Sequence, residues 1–288
     1  MRTSSVLSPR RWVIYSLLSL AALFFLLPFY VMLVTAFKTM PEIYSTGILA
    51  LPSSLNWYAW VHAWSAATIG AASSGIHGYF LNSFILVIPA VVISTAIGAF
   101  NGYVLTHWRF RGSNVFFYML LLGTIIPFQI VLLPMAWVEG RLGIAGTLVP
   151  GLMLVHVIYG LAFTTLFFRN YYVGIPHDLV KAARVDGAGF FSIFFRIMLP
   201  VSTPIIMVTA IWQFTMIWNN FLFGVVFTQG GQQPVTVAIN DLVDTVTSVH
   251  MWNVDMAAAI FAALPTLLVY LIAGKYFVRG LTAGAVKG

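Results

Sequence analysis

The sequence predicts an all-α integral membrane protein with six transmembrane helices and both termini in the cytoplasm. Three features carry that reading: the scarcity of charge, the length of the apolar runs, and the placement of lysine and arginine. Of 288 residues, 60% are hydrophobic and only 7% are charged, and mean hydropathy is +0.95. Soluble domains carry roughly 25% charged residues, so most of this surface is matched to lipid rather than water. Cysteine is absent, which excludes disulfides, thiolate metal sites and cysteine nucleophiles.

A bilayer core of roughly 30 Å takes about 20 helical residues. Apolar runs of that order lie at 13–36, 80–105, 115–138, 148–168, 204–226 and 257–274. The first follows the basic segment "SPRRW", as a signal peptide would. Its apolar run is about twice the usual signal-peptide length and no small-residue cleavage site follows, so it reads as a retained span. The chain is then a single transmembrane domain, 1–288. With the N-terminus inside, the inner segments hold Arg2, Arg10, Arg11, Arg109, Arg111, Arg169, Lys181, Arg184, Arg196, Lys275, Arg279 and Lys287. The outer ones hold only Lys38 and Arg141. That asymmetry sets the orientation and makes the net charge of +7 a topology signal rather than a nucleic-acid footprint.

Two outer loops are long. In 38–79, Trp57, Trp60, Val61 and Trp64 share one helical face. That face suits a short helix lying at the membrane interface or a docking surface for an external partner. The loop 228–256 is polar and lacks lysine and arginine. Its opening, "TQGGQQP", is rich in turn residues, and a loop this long without evident structure is either a contact for a partner or a plain connection.

The inner segment 169–203 has more grammar. Pro176 suits a first helical turn, and Asp178 complements the positive end of that helix. Leu179, Ala182, Ala183 and Asp186 fall on one side, with Lys181 and Arg184 on another. Gly187 is placed to end the helix in a left-handed conformation. A second apolar piece, "FFSIFFRIM", runs on until Pro200 stops it. The result is a helix–turn–helix bracket whose first helix is about 16 Å long at 1.5 Å per residue. Its small alanine face suits another protein's groove, although an ordinary amphipathic connector has the same pattern.

The spans contain no Asp, Glu, Lys or Arg, which counts against ion-coupled carriers and charged-ring pores. His156 lies within a span, as a relay or as a partner to a neighbouring helix. Neutral hydrogen-bonding groups are present instead: Asn82, Asn101, Gln129, Gln213, Asn219 and Asn220. They cluster with aromatics in "WQFTMIWNNFLF", which also supplies Trp218 and Phe221. Amides bind hydroxyls in pairs and aromatic rings cover sugar faces, so Gln129, Gln213, Trp218, Asn219, Asn220 and Phe221 are candidates for contact with a neutral, polyhydroxylated solute. Buried amides also bind helix to helix, and that reading stays open. No nucleotide-binding loop, paired acids or nucleophile motif is present. The chain therefore reads as a non-enzyme that binds no cofactor, and energy for pumping would come from another subunit.

Ala182, Ala183, Gly187, Ile197, Leu199 and Pro200 fall at the spacing E-A-A, three residues, Gly, nine residues, I-x-L-P. In this the chain resembles the permease subunits of ATP-binding-cassette importers; "DGA" (Asp186–Ala188) is typical of their carbohydrate branch, and the C-terminal "GLTAGAVKG" is similar to the tail of the maltose-type second permeases. The segments "FFRNYY", "KAARVDG" and "FVRGLTAGAVKG" are most similar to permeases assigned to glucose or mannose uptake in Gram-negative bacteria. The resemblance implies a type I importer fold in the bacterial inner membrane. It implies a second homologous permease, two cytoplasmic ATPases that bind the ATP and Mg, and a periplasmic sugar-binding protein. Asp178, Lys181, Ala182, Ala183, Arg184, Asp186, Gly187, Ile197, Leu199 and Pro200 would couple to the ATPase. Gly280, Gly284 and Lys287 of the tail would touch it, and the loop 228–256 would reach the binding protein. Lys181 departs from the usual Glu, which reverses the sign of charge at the position that pairs with a basic ATPase residue. A stand-alone facilitator, an ion-coupled carrier and a non-transporting scaffold are the competing classes; stable association with an ATPase separates them.

Overall fold

The computed structural model describes residues 9–108, 110–243 and 250–285, with side chains through residue 274. The chain divides into two compact units, Met1–Ile76 with Asp241–Phe261, and His77–Asn240 with Ala262–Gly288.

In the smaller unit, α1 (Pro9–Phe37) is apolar on every side and exposed along most of its length, from Trp12 to Leu33. A helix without a polar face is at home in lipid or against other apolar helices, not in water. The next helix, α2 (Met40–Ser45), starts with Pro41 in its first turn. The Glu42 carboxylate accepts the N–H groups of Thr39 and Ser53, and the Ser53 N–H holds that carboxyl below its ordinary range. In α3 (Tyr58–Ser65), Ala59 and Ala63 turn inward while Trp57, Val61 and Trp64 stay exposed. Phe261 contacts Trp60 and Trp64 at ring distances of 5.4 and 5.2 Å. A short antiparallel hairpin follows, β1 (Thr68–Ile69) with β2 (Ala72–Ser73), Thr68 opposite Ser73.

The larger unit is organised around α4 (His77–His107) and α7 (Met153–Val173). Its next two helices, α5 (Ser113–Ile125) and α6 (Phe128–Leu142), occupy the predicted third span but are bent by 106°. The span read at 115–138 thus falls on a bent helix pair. Proline pushes the preceding residue out of the helical region, and Ile126 is extended at ψ 121°. After a wide turn at Leu148–Leu152 comes α7 (Met153–Val173). Gly98 and Gly102, one turn apart on α4, let its backbone meet α7: an added Cβ would lie 2.4 Å from Thr164 Oγ1 and 2.7 Å from Phe168 Cβ. Asn101 donates to Thr165 Oγ1 at 3.2 Å between them. Small residues at this spacing plus one polar bond are how apolar helices associate without a hydrophobic drive.

The bracket follows as α8 (His177–Val185) and α9 (Phe190–Ile193), then a wide turn at Phe194–Met198 and α10 (Leu199–Val201). Pro200 does not stop the helix, contrary to expectation. Its missing N–H and bulky ring are accommodated by the widened turn, where the Leu199 N–H reaches the Phe194 carbonyl. The direction changes instead at Ser202, where the chain bends by 75° into α11 (Thr203–Trp218).

Within the predicted span 204–226, α11 ends at Trp218 and a second helix resumes after a short break. Asn219 donates back to the Thr215 carbonyl at 3.0 Å. Asn220 Oδ1 accepts the Phe223 N–H at 2.8 Å and so starts α12 (Leu222–Phe227). Short amide side chains compete with the helical backbone in this way. The loop 228–256 is not structureless either. A tight turn at Gly230–Gln232 leads to α13 (Val235–Val243), which buries Val235, Val237 and Ala238. Asn82 donates to the carbonyls of Gly231 and Gln233 at 2.7 and 3.0 Å, and the Leu148 N–H reaches Gln232 Oε1 at 2.8 Å. The last helix, α14, runs Trp252–Ala285. Among the described residues, four helices are long and apolar enough to cross a membrane, or up to six spans when each bent pair counts as one.

Candidate functional site

The bracket is built on the ends of α4 and α7. Val180 and Ala183 of α8 are buried in one cluster with Ala99 and Tyr103 of α4, Phe168 and Tyr172 of α7, and Ile193, Phe194 and Met198 beyond the turn. Burying a valine stabilises by roughly 1.5–3 kcal/mol. The Lys181–Asp178 ion pair at 3.2 Å is exposed on both sides, and such helix pairs contribute only about 0.2–0.5 kcal/mol. The apolar anchor therefore sets the pose of α8, and the ion pair does not.

Arg184 adds a second fastening. Its guanidinium lies 4.1 Å from the Trp108 ring centre and donates to the His107 carbonyl at 3.3 Å. His107 and His177 meet through their Nδ1 atoms at 3.2 Å, and Tyr103 donates to the Phe190 carbonyl at 3.1 Å. At the far end, Ser202 donates to the Tyr172 hydroxyl and Tyr171 to the Val201 carbonyl, both at 2.9 Å.

The turn between the two arms depends on Gly187, which has φ +82°. Ala188 N–H reaches the Ala183 carbonyl at 2.8 Å, and Gly187 N–H the Arg184 carbonyl at 3.0 Å. This paired closure, with glycine left-handed, caps the last carbonyls of a helix. What remains exposed on α8 is His177, Asp178, Leu179, Lys181, Ala182, Arg184 and Val185, followed by Asp186 and Gly187. Ala183 is turned inward rather than belonging to the outer face that its spacing suggested. Val185, 88% exposed, is the apolar residue at the tip that periodicity overlooked. Ile197 and Leu199 are half-buried in the second arm and Pro200 is exposed.

The solute candidates separate into two groups. Gln213 is 2% exposed, and its Nε2 donates to Ser94 Oγ at 2.8 Å. Trp218 is equally buried; it stacks on Phe214 and donates to the Ala262 carbonyl at 2.9 Å. Both bind helix to helix. Gln129, Asn219 and Phe221 are exposed, and Asn220 is half-buried. A cavity of about 240 Å³ nevertheless gathers Gln213 and Asn220 with His156, Tyr159, Trp212 and Phe223. No spacing in the sequence places His156 and Trp212 together; the packing of α7 against α11 does. Of the tail residues, Gly280 and Gly284 lie on α14, while Lys287 lies outside the described residues.

The family described as "Binding-protein-dependent transport system inner membrane component" matches residues 90–283. The chain belongs to that family. The match contains the whole bracket, the cavity and the close-packed α4–α7 face. Similar proteins include a probable ABC transporter permease of Pyrococcus horikoshii, 43% identical over 181 residues, which are 62% of this chain and 65% of that one. The diacetylchitobiose uptake system permease of Streptomyces coelicolor is 30% identical over 97% of this chain and 91% of its own. A crystal structure of a bacterial ABC transporter that imports the acidic polysaccharide alginate superposes with a TM-score of 0.79. It covers 95% of this chain and 100% of that chain at 19% identity, and so speaks for the fold. The protein is thus a multi-pass ABC importer permease and not an enzyme; ATP hydrolysis belongs to a separate subunit.

Proposed function

We propose that this permease is one of two homologous membrane subunits of an ATP-driven importer of glucose, mannose or a related small sugar in a bacterial inner membrane. The observation that carries the proposal is the bracket: a short exposed helix, fastened by Val180, Ala183 and Arg184 to the ends of two spans. A rigid handle of this kind transmits a push on α8 into α4 and α7. The lysine and arginine asymmetry supports placing it, with both termini, in the cytoplasm. There it would seat in one of two ATPase subunits, which bind the ATP and Mg. The tail residues Gly280, Gly284 and Lys287 would touch the same partner. A periplasmic sugar-binding protein would deliver cargo on the opposite side, near 228–256. A carbohydrate cargo named for one relative supports sugars as the class, and the uncharged spans support a neutral one.

Lys181 keeps its reversed sign in this arrangement, and its own partner within the chain is Asp178. Docking then rests on the shape of Leu179, Ala182 and Val185, with the ATPase presenting an acid or no charge opposite Lys181. The test is purification of the tagged chain co-expressed with the ATPase and permease genes beside it. A stable complex whose sugar uptake needs ATP is expected. Sugar uptake by this chain alone, with no ATPase present, would refute the proposal.

A further inference from the structure

We infer that the cavity walled by α6, α7, α11 and α12 is a subsite for a single sugar ring, so that this subunit itself holds cargo in transit. The inference rests on the sugar-importer reading and adds to it a place and a set of contacts. The cavity measures about 240 Å³, room for about eight waters at ~30 Å³ each or for one pyranose ring.

Its chemistry suits a hydroxylated ring. His156 lines the space, is 5% exposed, and its Nε2 is buried with no hydrogen-bond partner among the described residues. Buried polar atoms are satisfied in nearly all native structures, so this nitrogen needs something inside the cavity. Gln213 has its amide orientation set by donation to Ser94, which leaves Oε1 as an acceptor. Asn220 uses Oδ1 on the Phe223 N–H, which leaves Nδ2 as a donor. Sugar hydroxyls both donate and accept, and these three groups offer both roles without any charge. Tyr159 and Trp212 add aromatic surface, with Trp212 held against Phe163 at a ring distance of 4.7 Å. Such rings carry a large apolar face with a polar handle, and the C–H face of a pyranose covers that surface. Gly160 makes the arrangement possible, since a Cβ there would lie 2.1 Å from Gln213 Nε2. The larger groove of about 490 Å³ between α5, α6 and α7 is walled almost wholly by apolar side chains and offers no such set.

The test uses the complete transporter in proteoliposomes with radiolabelled glucose, comparing wild type, His156→Phe and Trp212→Leu at matched membrane abundance. Phenylalanine keeps a ring and removes the nitrogens; leucine removes the aromatic surface and the indole N–H of Trp212 and leaves His156, Gln213 and Asn220 in place. Each is expected to lower the maximal uptake rate at least tenfold, and glucose-soaked wild-type complex is expected to show ring-shaped density in the cavity. Wild-type uptake with either variant unimpaired overturns the subsite while leaving the importer reading intact. Density for waters only in the transporting wild type does the same. No glucose, mannose or pentose uptake by the wild-type complex overturns the importer reading, and the subsite falls with it. Should His156→Phe fail to accumulate, Trp212→Leu and the density decide.

Discussion

Replacing Gly187 tests the bracket most directly, because the structure separates its backbone cost from any steric one. None of the described residues other than its chain neighbours lies within 4 Å of where a Cβ at this position would sit, while φ is +82°. Alanine therefore meets no neighbour and is penalised only for the left-handed backbone, about 1–2 kcal/mol for an L-residue. At 1.4 kcal/mol per factor of ten, that shifts the ratio of correctly set to mis-set turns by roughly 5- to 30-fold. Proline is far worse. It fixes φ near −65°, removes the N–H that reaches the Arg184 carbonyl, and drives Asp186 from its near-helical conformation, at a cost of about 3 kcal/mol or more. Asparagine tolerates the left-handed region and keeps the N–H, so it should stay close to wild type. The assay is ATP hydrolysis stimulated by the binding protein in the reconstituted complex, with membrane abundance measured alongside. All three variants should insert normally. Coupled hydrolysis should fall in the order Gly, Asn, Ala, Pro, and Gly187→Pro should abolish it. Normal coupling in Gly187→Pro, or asparagine behaving worse than alanine, would show that the left-handed turn is not what holds the handle.

Three further outcomes follow from the same geometry. Gly102→Val forces a side chain into the Phe168 Cβ and the Arg169 backbone, at 2.7 and 2.8 Å for the first carbon alone. Overpacking of this kind costs about 1–3 kcal/mol, so the detergent-solubilised protein should melt several degrees lower, whereas Gly140→Ala on α6, which meets nothing, should not shift it. Arg184→Ala removes a cation–π contact and a charged hydrogen bond at an exposed side chain, the cation–π contact alone worth about 0.5–1 kcal/mol there. Hydrogen exchange of the α8 amides should accelerate while that of α7 is unchanged. Lys181→Glu puts like charges on Asp178 and residue 181, and coupling with the native ATPase should weaken. Improved coupling would instead reveal a basic partner residue facing that position.

Much of this protein was legible in its residues because lipid imposes a simple rule. A backbone in hydrocarbon must satisfy its own hydrogen bonds, so runs of about 20 apolar residues could be read as helices before any contact was known. The placement of Gly187 was legible for a related reason: left-handed backbone at a helix end selects glycine almost regardless of context. The breaks in the spans were not legible. Pro28, Pro89 and Pro265 lie inside helices that continue, whereas Pro127 marks a 106° bend, and no local signal distinguishes them. Helix α13 was hidden in the same way, because its apolar face is short and became visible only when packed.

What the sequence determined by itself is therefore the membrane character, the number of apolar runs and the bracket with its glycine. All of these depend on composition or on the conformational limits of one residue. Only the tertiary structure decided which groups meet. It turned Ala183 inward, used Trp218 to bind helix to helix, and drew His156 on α7 to within one cavity of Gln213 and Asn220 on the far side of a bend. Those outcomes depend on how Gly98, Gly102 and Gly160 let helices approach, and close approach is a property of two surfaces together rather than of either sequence segment.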